Sequence, residues 1–193
     1  MEALEAIQTR RSIGKVRPDP LPRALVARLV ETVALAPNHH LTEPWRLFVL
    51  AGAAREALGE VMAEALRARL GDAPRDAAQV EALLAVERAK PLRAPVVIAV
   101  AARHQQHPKA LEVEDLAAVA AGVQNLLLGA HALGLGAYWR TGDAAYDPRV
   151  KAFFGLGEPD HLVGFVYLGY PAEPPKPVTR TPAAELIEWR GWE

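Results

Sequence analysis

The stretch "APVVIAVAA", residues 94–102, constrains this chain more than any other. It has no polar position, is rich in β-branched residues, and is entered through proline. Such a run forms a strand with no face that water can wet, so both faces have to be covered by other elements. A chain carrying it needs a sheet with helices on two sides, and the remaining segments are read against that requirement.

Helical spacing of Leu4 and Ile7 predicts a short helix over residues 2–11. In "LPRALVARLVETVALAP" Pro22 suits a first helical position. Leu25, Val26, Leu29, Val30 and Val33 line one face, and Pro37 ends the helix. "NHHLTEPW" reads as a loop feeding a strand in "RLFVLAG". Residues 53–70 and 76–90 read as helices separated by the turn-like "GDAP". A long helix from about Glu112 to Leu133 opens with Glu112, Glu114 and Asp115, where carboxylates suit the positive helix end. It is apolar nearly all round, which predicts a path through the middle of the molecule or between subunits. "GLGAYWRTG" reads as a strand, "DPRVKAFFGL" as a short helix and "HLVGFVYLGYP" as the last strand. Residues 171–182 are too rich in proline for a helix or central strand and are expected to lie extended. The expected fold class is α+β, an α/β-type sheet flanked by helices on both faces. It forms one domain over 1–193, of which 171–193 is an extended C-terminal arm.

Composition narrows the function. The formal net charge of -1 argues against nucleic-acid binding, and the absence of cysteine excludes disulfides, thiolate metal sites and a cysteine nucleophile. "MEALEAIQTRR" lacks the long apolar run of a signal peptide. The most apolar stretch, 116–137, is interrupted by Gln124, Asn125, His131 and glycines, so no window is expected to span a membrane. The expectation is a cytoplasmic protein without nucleic-acid or membrane partners.

Chemistry could sit in several segments. "TRRSIGKVRP" sets Arg10 and Arg11 side by side, followed by Ser12, Lys15 and Arg17. Two readings are open: a basic helix end facing unpaired carbonyls, or a grip on a phosphate, for which arginine offers a planar fork of donors. In "PNHHLTEPW", His39, His40 and Glu43 are ligand types for zinc or iron, but the spacing lies on a loop without a third histidine, and no metal site is expected. His104 and His107 of "HQQH" read as a solvated loop. The glycine pair Gly134 and Gly136 follows a helix and precedes a strand, the reverse of a dinucleotide fingerprint. What remains there is Trp139, Arg140 and Thr141 at a strand end. In "PKPVTRTPAAELI", Lys176 and Arg180 are either a solvated basic tail or further anion contacts. No "GxSxG" and no P-loop occurs, and no nucleophile or general base stands out. Several anion contacts without a catalytic side chain suggest a cofactor that brings its own reactivity.

Taken together, "RRS" after the first helix, "APNHHLTEPW", "GLGAYWRTG", "VGFVYLGYP" and the late "RTPAAELI" resemble the FMN-dependent nitroreductase family, in its small single-domain, YdjA-like branch. The resemblance runs from residue 2 to about 189. It implies a nitroreductase-like fold and an intertwined homodimer with flavin sites shared between subunits. It also implies that Arg10, Arg11 and Ser12 hold FMN, with Lys15 as the following cation. His39 would be presented to the flavin from the neighbouring subunit, Trp139, Arg140 and Thr141 would line the isoalloxazine and ribityl chain, and Arg180 would be a late phosphate contact. Glu43 departs from the Gln usual before Pro-Trp and receives no role. The implied activity is ping-pong transfer of hydride from NADH or NADPH through flavin N5 to a small acceptor such as a nitroaromatic or quinone. Dehalogenase-like chemistry and a non-catalytic FMN-binding module are the alternatives.

Overall fold

The computed structural model describes residues 1–71, 76–104 and 107–192. The expected "GDAP" turn lies outside the described residues beyond Gly71, as do the two glutamines of "HQQH". Strand β2 (Val96–Ala102) is buried at all seven positions. It lies inside a sheet with β1 (Trp45–Leu50), β3 (Gly136–Arg140) and β4 (His161–Gly169), in the order β1-β2-β4-β3.

The two faces of β2 build two cores. Val96, Ile98, Val100 and Ala102 pack with Leu29 and Val33 of α2 (Arg23–Val33) and with Val119, Val123 and Leu126 of α5 (Glu112–Ala132). On the other face Val97, Ala99 and Ala101 meet Leu58, Met62 and Ala65 of α3 (Ala53–Leu70). Phe165 and Tyr167 of β4 belong to this second core, as do Ala144, Val150 and Phe154 from the region of α6 (Asp143–Tyr146) and α7 (Pro148–Phe153). Helices therefore cover both faces, as the apolar run demands.

Every neighbouring pair of strands is antiparallel. The connections explain this. Between β1 and β2 the chain makes a helical hairpin of α3 and α4 (Ala77–Ala89), which returns it to the end of the sheet it left, so β2 runs against β1. The single helix α5 then carries the chain from one end of the sheet to the other. That makes β3 parallel in direction to β2, but β4 is inserted between them and pairs with both.

Some details depart from the sequence expectations. Helix α1 (Ala3–Thr9) stops before the arginine pair, Pro22 precedes α2 rather than opening it, and α6 was not anticipated. By length and mean hydropathy alone helix α5 could cross a membrane. Its packing is that of a core helix, with eight buried positions from Asp115 to Ala130 against α2 and the sheet.

The register of β2 against β4 shifts between Val100 and Ala101, opposite Gly164. Gly164 has φ +145°, and a Cβ there would stand 2.6 Å from both the Arg140 carbonyl oxygen and Trp139 Nε1. Glycine is what lets β3 close on the bulged strand and sets the direction of its last residues. Gly164→Ala is expected to lower stability by about 1–3 kcal/mol in urea unfolding, the usual cost of forcing a side chain into such a backbone region.

Candidate functional site

Residues 12–17 leave α1 and run along the β3 edge of the sheet. Ile13 donates its N–H to Ala137 at 3.0 Å, Val16 bridges to Pro171, and Arg17 donates its N–H to Tyr170 at 2.8 Å. Ala172 donates back to the Lys15 carbonyl at 3.1 Å, so the N-terminal segment and the start of the C-terminal arm lie together. Between them opens a cleft of about 330 Å³ lined by Ser12, Gly14, Lys15, Arg140, Glu173 and Lys176 among others. Only these long-range pairings bring the first fifteen residues beside residue 140 and the arm.

Arg10 follows the last turn of α1, its N–H closing the helix on the Ala6 carbonyl at 3.0 Å. Burial first, and then the cations of Arg180 and Arg11, hold its guanidinium below the ordinary arginine value. Arg10, Arg11 and Arg180 repel one another, and among the described residues none of the three forms an ion pair with a carboxylate, a distribution of charge that suits an anion. Arg11 shares its donors differently, giving Nη1 to the Gln8 and Arg10 carbonyls at 2.8 Å each. The helix-end role considered from the sequence thus describes Arg11, while the charge of Arg180 acts against that of Arg10.

The other candidates divide into those near this cleft and those away from it. Lys15 pairs with Glu173 at 3.2 Å, an exposed pair that holds the lysine only weakly. Arg17 turns to Asp19 at 3.6 Å and lies 5.2 Å over the Tyr170 ring. Arg140 is stacked at 4.4 Å on Tyr138 and 5.5 Å on Tyr167, which keeps its plane fixed at the cleft wall. Burial raises the Tyr167 hydroxyl above its ordinary value, with Arg140 opposing the shift. Trp139 donates Nε1 to the Val163 carbonyl at 3.3 Å, and Thr141 and Gly142 follow at the exposed end of β3. Arg140, Thr141 and Tyr167 also line a second cleft of about 360 Å³ against α3 and α4.

His39 is elsewhere. Its Nδ1 stands 2.8 Å from Glu114 in the first turn of α5, whereas Thr9, the residue before Arg10, meets His131 at 2.8 Å in the last turn. Along a helix those contacts are about 25 Å apart. Within one chain His39 and Arg10 therefore mark opposite ends of α5. Glu43 donates its backbone N–H to Asn38 Oδ1 at 3.1 Å, and its side chain is exposed. Among the described residues, no three His, Asp or Glu side chains come together in an arrangement that could hold a metal ion.

The loop carrying His39 has a further property that the sequence concealed. His40, Leu41 and Glu43 have φ of 54°, 52° and 44°, and they are the positive-φ residues other than glycine among those described. Each costs about 1–3 kcal/mol and persists only when surrounding contacts enforce it. Sequence reasoning also missed Glu173 as partner of Lys15 and the tyrosines that stack Arg140. Both depend on contacts between distant segments, for which local pattern carries no signal.

These features can be set beside known proteins. The sequence model of the nitroreductase family matches residues 7–170. The chain belongs to the nitroreductase family. Among its relatives is YdjA of Escherichia coli K12, a protein whose name assigns it provisionally to the NAD(P)H nitroreductases. It is 33% identical over 173 residues, spanning 89% of each chain. A nitroreductase-like family protein from Bacillus cereus superposes with a TM-score of 0.84 at 25% identity, over 100% of this chain and 97% of the other. A Desulfovibrio desulfuricans protein, provisionally named a nitroreductase and crystallised with FMN, superposes with a TM-score of 0.73 at 25% identity over 100% of both chains. The fold expected from the sequence motifs is the fold observed.

The arginine cluster has a direct consequence. Inorganic phosphate is expected to raise the melting temperature of the flavin-free protein. Arg10→Ala or Arg180→Ala should abolish that rise, and Arg11→Ala should only weaken it, because its guanidinium is already committed to carbonyls. Differential scanning fluorimetry across a phosphate series checks this.

Proposed function

We propose that this chain is an FMN-dependent oxidoreductase that draws on NADH or NADPH and reduces a small planar acceptor such as a nitroaromatic or quinone. The observation that carries the reading is the mutual repulsion of Arg10 with Arg180 and Arg11, in a chain whose next residues, Ser12 to Lys15, line a cleft with Arg140. A dianionic phosphate at the arginines suits their repulsion, since charge-assisted bonds to it are about twice as strong as neutral ones. The family's use of FMN, exemplified by the Desulfovibrio protein crystallised with it, supports the same reading.

The residues fit the cofactor in a definite order. Arg10 and Arg180 would hold the phosphate, with Arg11 adding to the local field. Ser12 and Lys15 would contact the ribityl chain and pyrimidine edge, Lys15 leaving its weak pair with Glu173 to do so. Trp139, Arg140 and Thr141 would line the ring system. When bound, FMN supplies the redox chemistry by which reducing equivalents pass from NADH or NADPH to the acceptor. The chain's task is then to orient flat partners and to provide positive charge: Arg140, fixed between two tyrosines, offers a preorganised cation where negative charge develops. No side chain has to act as a nucleophile.

We further propose that two copies share each site. A cofactor gripped at Arg10 does not reach His39 of its own chain across the length of α5, so contact with that loop requires a second copy. Exposed Leu4, Ile7, Val113, Leu186, Ile187, Trp189 and Trp192 supply apolar surface for such a dimer, the last four on the arm beyond residue 185. We take the enzyme to act in the cytoplasm on small molecules, without nucleic-acid or membrane partners.

The test is a visible absorbance spectrum of the purified protein before and after anaerobic NADH and NADPH. A flavin spectrum that bleaches with either donor is expected. A flavin spectrum that neither donor bleaches would reduce the protein to a binding module, and a protein that takes up no FMN would sink the assignment. Size-exclusion chromatography monitored in the visible range should find flavin in the dimer and none in monomer, and a flavin-loaded monomer would refute the shared site.

A further inference from the structure

Five of the chain's six histidines surround one place in the fold, the first turn of α5 and the loops that meet it. His39 Nδ1 is 2.8 Å from Glu114, His161 Nε2 is 2.7 Å from Glu112, and His104 Nδ1 is 3.5 Å from Asp115. His40 stacks on His107 with ring centres 5.1 Å apart and planes 17° from parallel. These contacts do not have equal weight. The His39 side chain is 67% exposed, so its pair with Glu114 is a weak surface contact. Asp115 is 4% exposed, the one buried carboxylate in this group.

Asp115 joins three separate segments. Its Oδ1 accepts the Thr42 hydroxyl at 2.8 Å, which ties down the strained loop just before Glu43. Among the described residues its Oδ2 is buried without a hydrogen bond, and His104 Nδ1, 3.5 Å away, is likewise buried and without one. A proton on that nitrogen satisfies both atoms after a small closure of the 3.5 Å gap. The His104 backbone is anchored independently, its N–H donating to Asp160 Oδ1 at 3.2 Å, while Arg103 N–H donates to the Pro44 carbonyl at 2.7 Å. The far end of the loop is thus fixed to β2, and what fixes its middle to α5 is the carboxylate of Asp115.

We propose that Asp115, itself steadied by His104, is a positioning residue, which through Thr42 holds residues 38–43 in their strained form and so sets where His39 and His40 are presented. The inference rests on the reading that this loop of one copy faces the flavin of the other, and under that reading Asp115 shapes the wall against which the acceptor docks. It acts at a distance from the phosphate grip, because Arg10 and Arg180 belong to the opposite end of α5. Acceptor binding and flavin retention therefore depend on different residues.

Asp115→Asn keeps the shape and removes the charge; Thr42→Val removes only the hydroxyl that reaches Asp115. Both are made in the full-length chain, with thermal midpoint, FMN content and hydrogen exchange of peptides covering 38–45 measured beside the parent. Exchange protection at Thr42 and Glu43, whose amides bond to the His39 carbonyl and to Asn38 within the loop, should fall by about fivefold or more, the loss of one net hydrogen bond. Peptides from α1 and β4 should keep theirs, FMN content should match the parent, and the KM for a benzoquinone acceptor should rise several-fold with kcat unchanged. Parent-level protection of the loop in both variants would overturn the inference, as would a loosened loop with an unchanged KM in flavin-loaded protein. A parent protein that binds no flavin overturns the functional reading alone; the exchange comparison still decides whether Asp115 holds the loop.

Discussion

The burial of β2 on both faces is the constraint from which the architecture follows. Seven consecutive residues without a polar side chain cannot sit at the surface of a sheet, and each side of the strand is closed by its own set of helices. Once α2 and α5 occupy one face and α3 the other, little room remains for an exposed site on the sheet. The accessible polar surface is pushed to the edge strand β3, to the ends of the strands, and to the segments that run beside them. Binding groups on such positions are held by a rigid frame while their tips stay open to ligand.

Helix α5 then divides that surface in two. Beside its last turn, α1 delivers Arg10 and Arg11, and the arm brings Arg180 to them. At its first turn, three carboxylates meet histidines from two loops and from the start of β4. The two ends differ in their electrostatics: one is a set of cations that among the described residues form no ion pair, the other a set of imidazoles each facing an acid or another ring. The first is costly until an anion arrives, and the second is satisfied within the chain. Strain follows the same division, since the loop with three left-handed residues belongs to the second end. A site assembled from both ends of a helix this long calls for two copies of the chain, which is why cofactor and quaternary structure enter the functional proposal together.

Much of the frame was legible before any coordinates. The four strands and the long helices fall where hydrophobic period and proline placement predict, because those signals are local and strong: the 94–102 run, the 112–133 helix, the proline at 37. Short α6 was missed, being four residues with no repeating pattern. The strand order was also hidden. Nothing in β4 announces that it slips between β2 and β3, and the glycine that permits this, Gly164, looks like any glycine in a strand until the Trp139 indole is seen against it. For the site, the motifs singled out the arginines and the "YWRT" strand end, but not that Arg11 gives its donors to the Gln8 and Arg10 carbonyls. Asp115 read as a helix-end carboxylate, and its role as a junction was invisible because Thr42 and His104 approach from distant segments.

Local pattern and composition require a sheet covered on both faces, leave no thiol chemistry, and put the polar chemistry in a few loops rich in arginine and histidine. Those properties follow from composition and from periodicities a few residues long. Packing settles the rest: Arg11 is occupied by helix carbonyls, and the histidine loop and the end of α1 stand at opposite ends of one helix. The reason is physical. Repulsion between cations, satisfaction of a buried carboxylate and the cost of a left-handed backbone all depend on distances between segments that chain order leaves open, and packing against the two faces of β2 is what sets them.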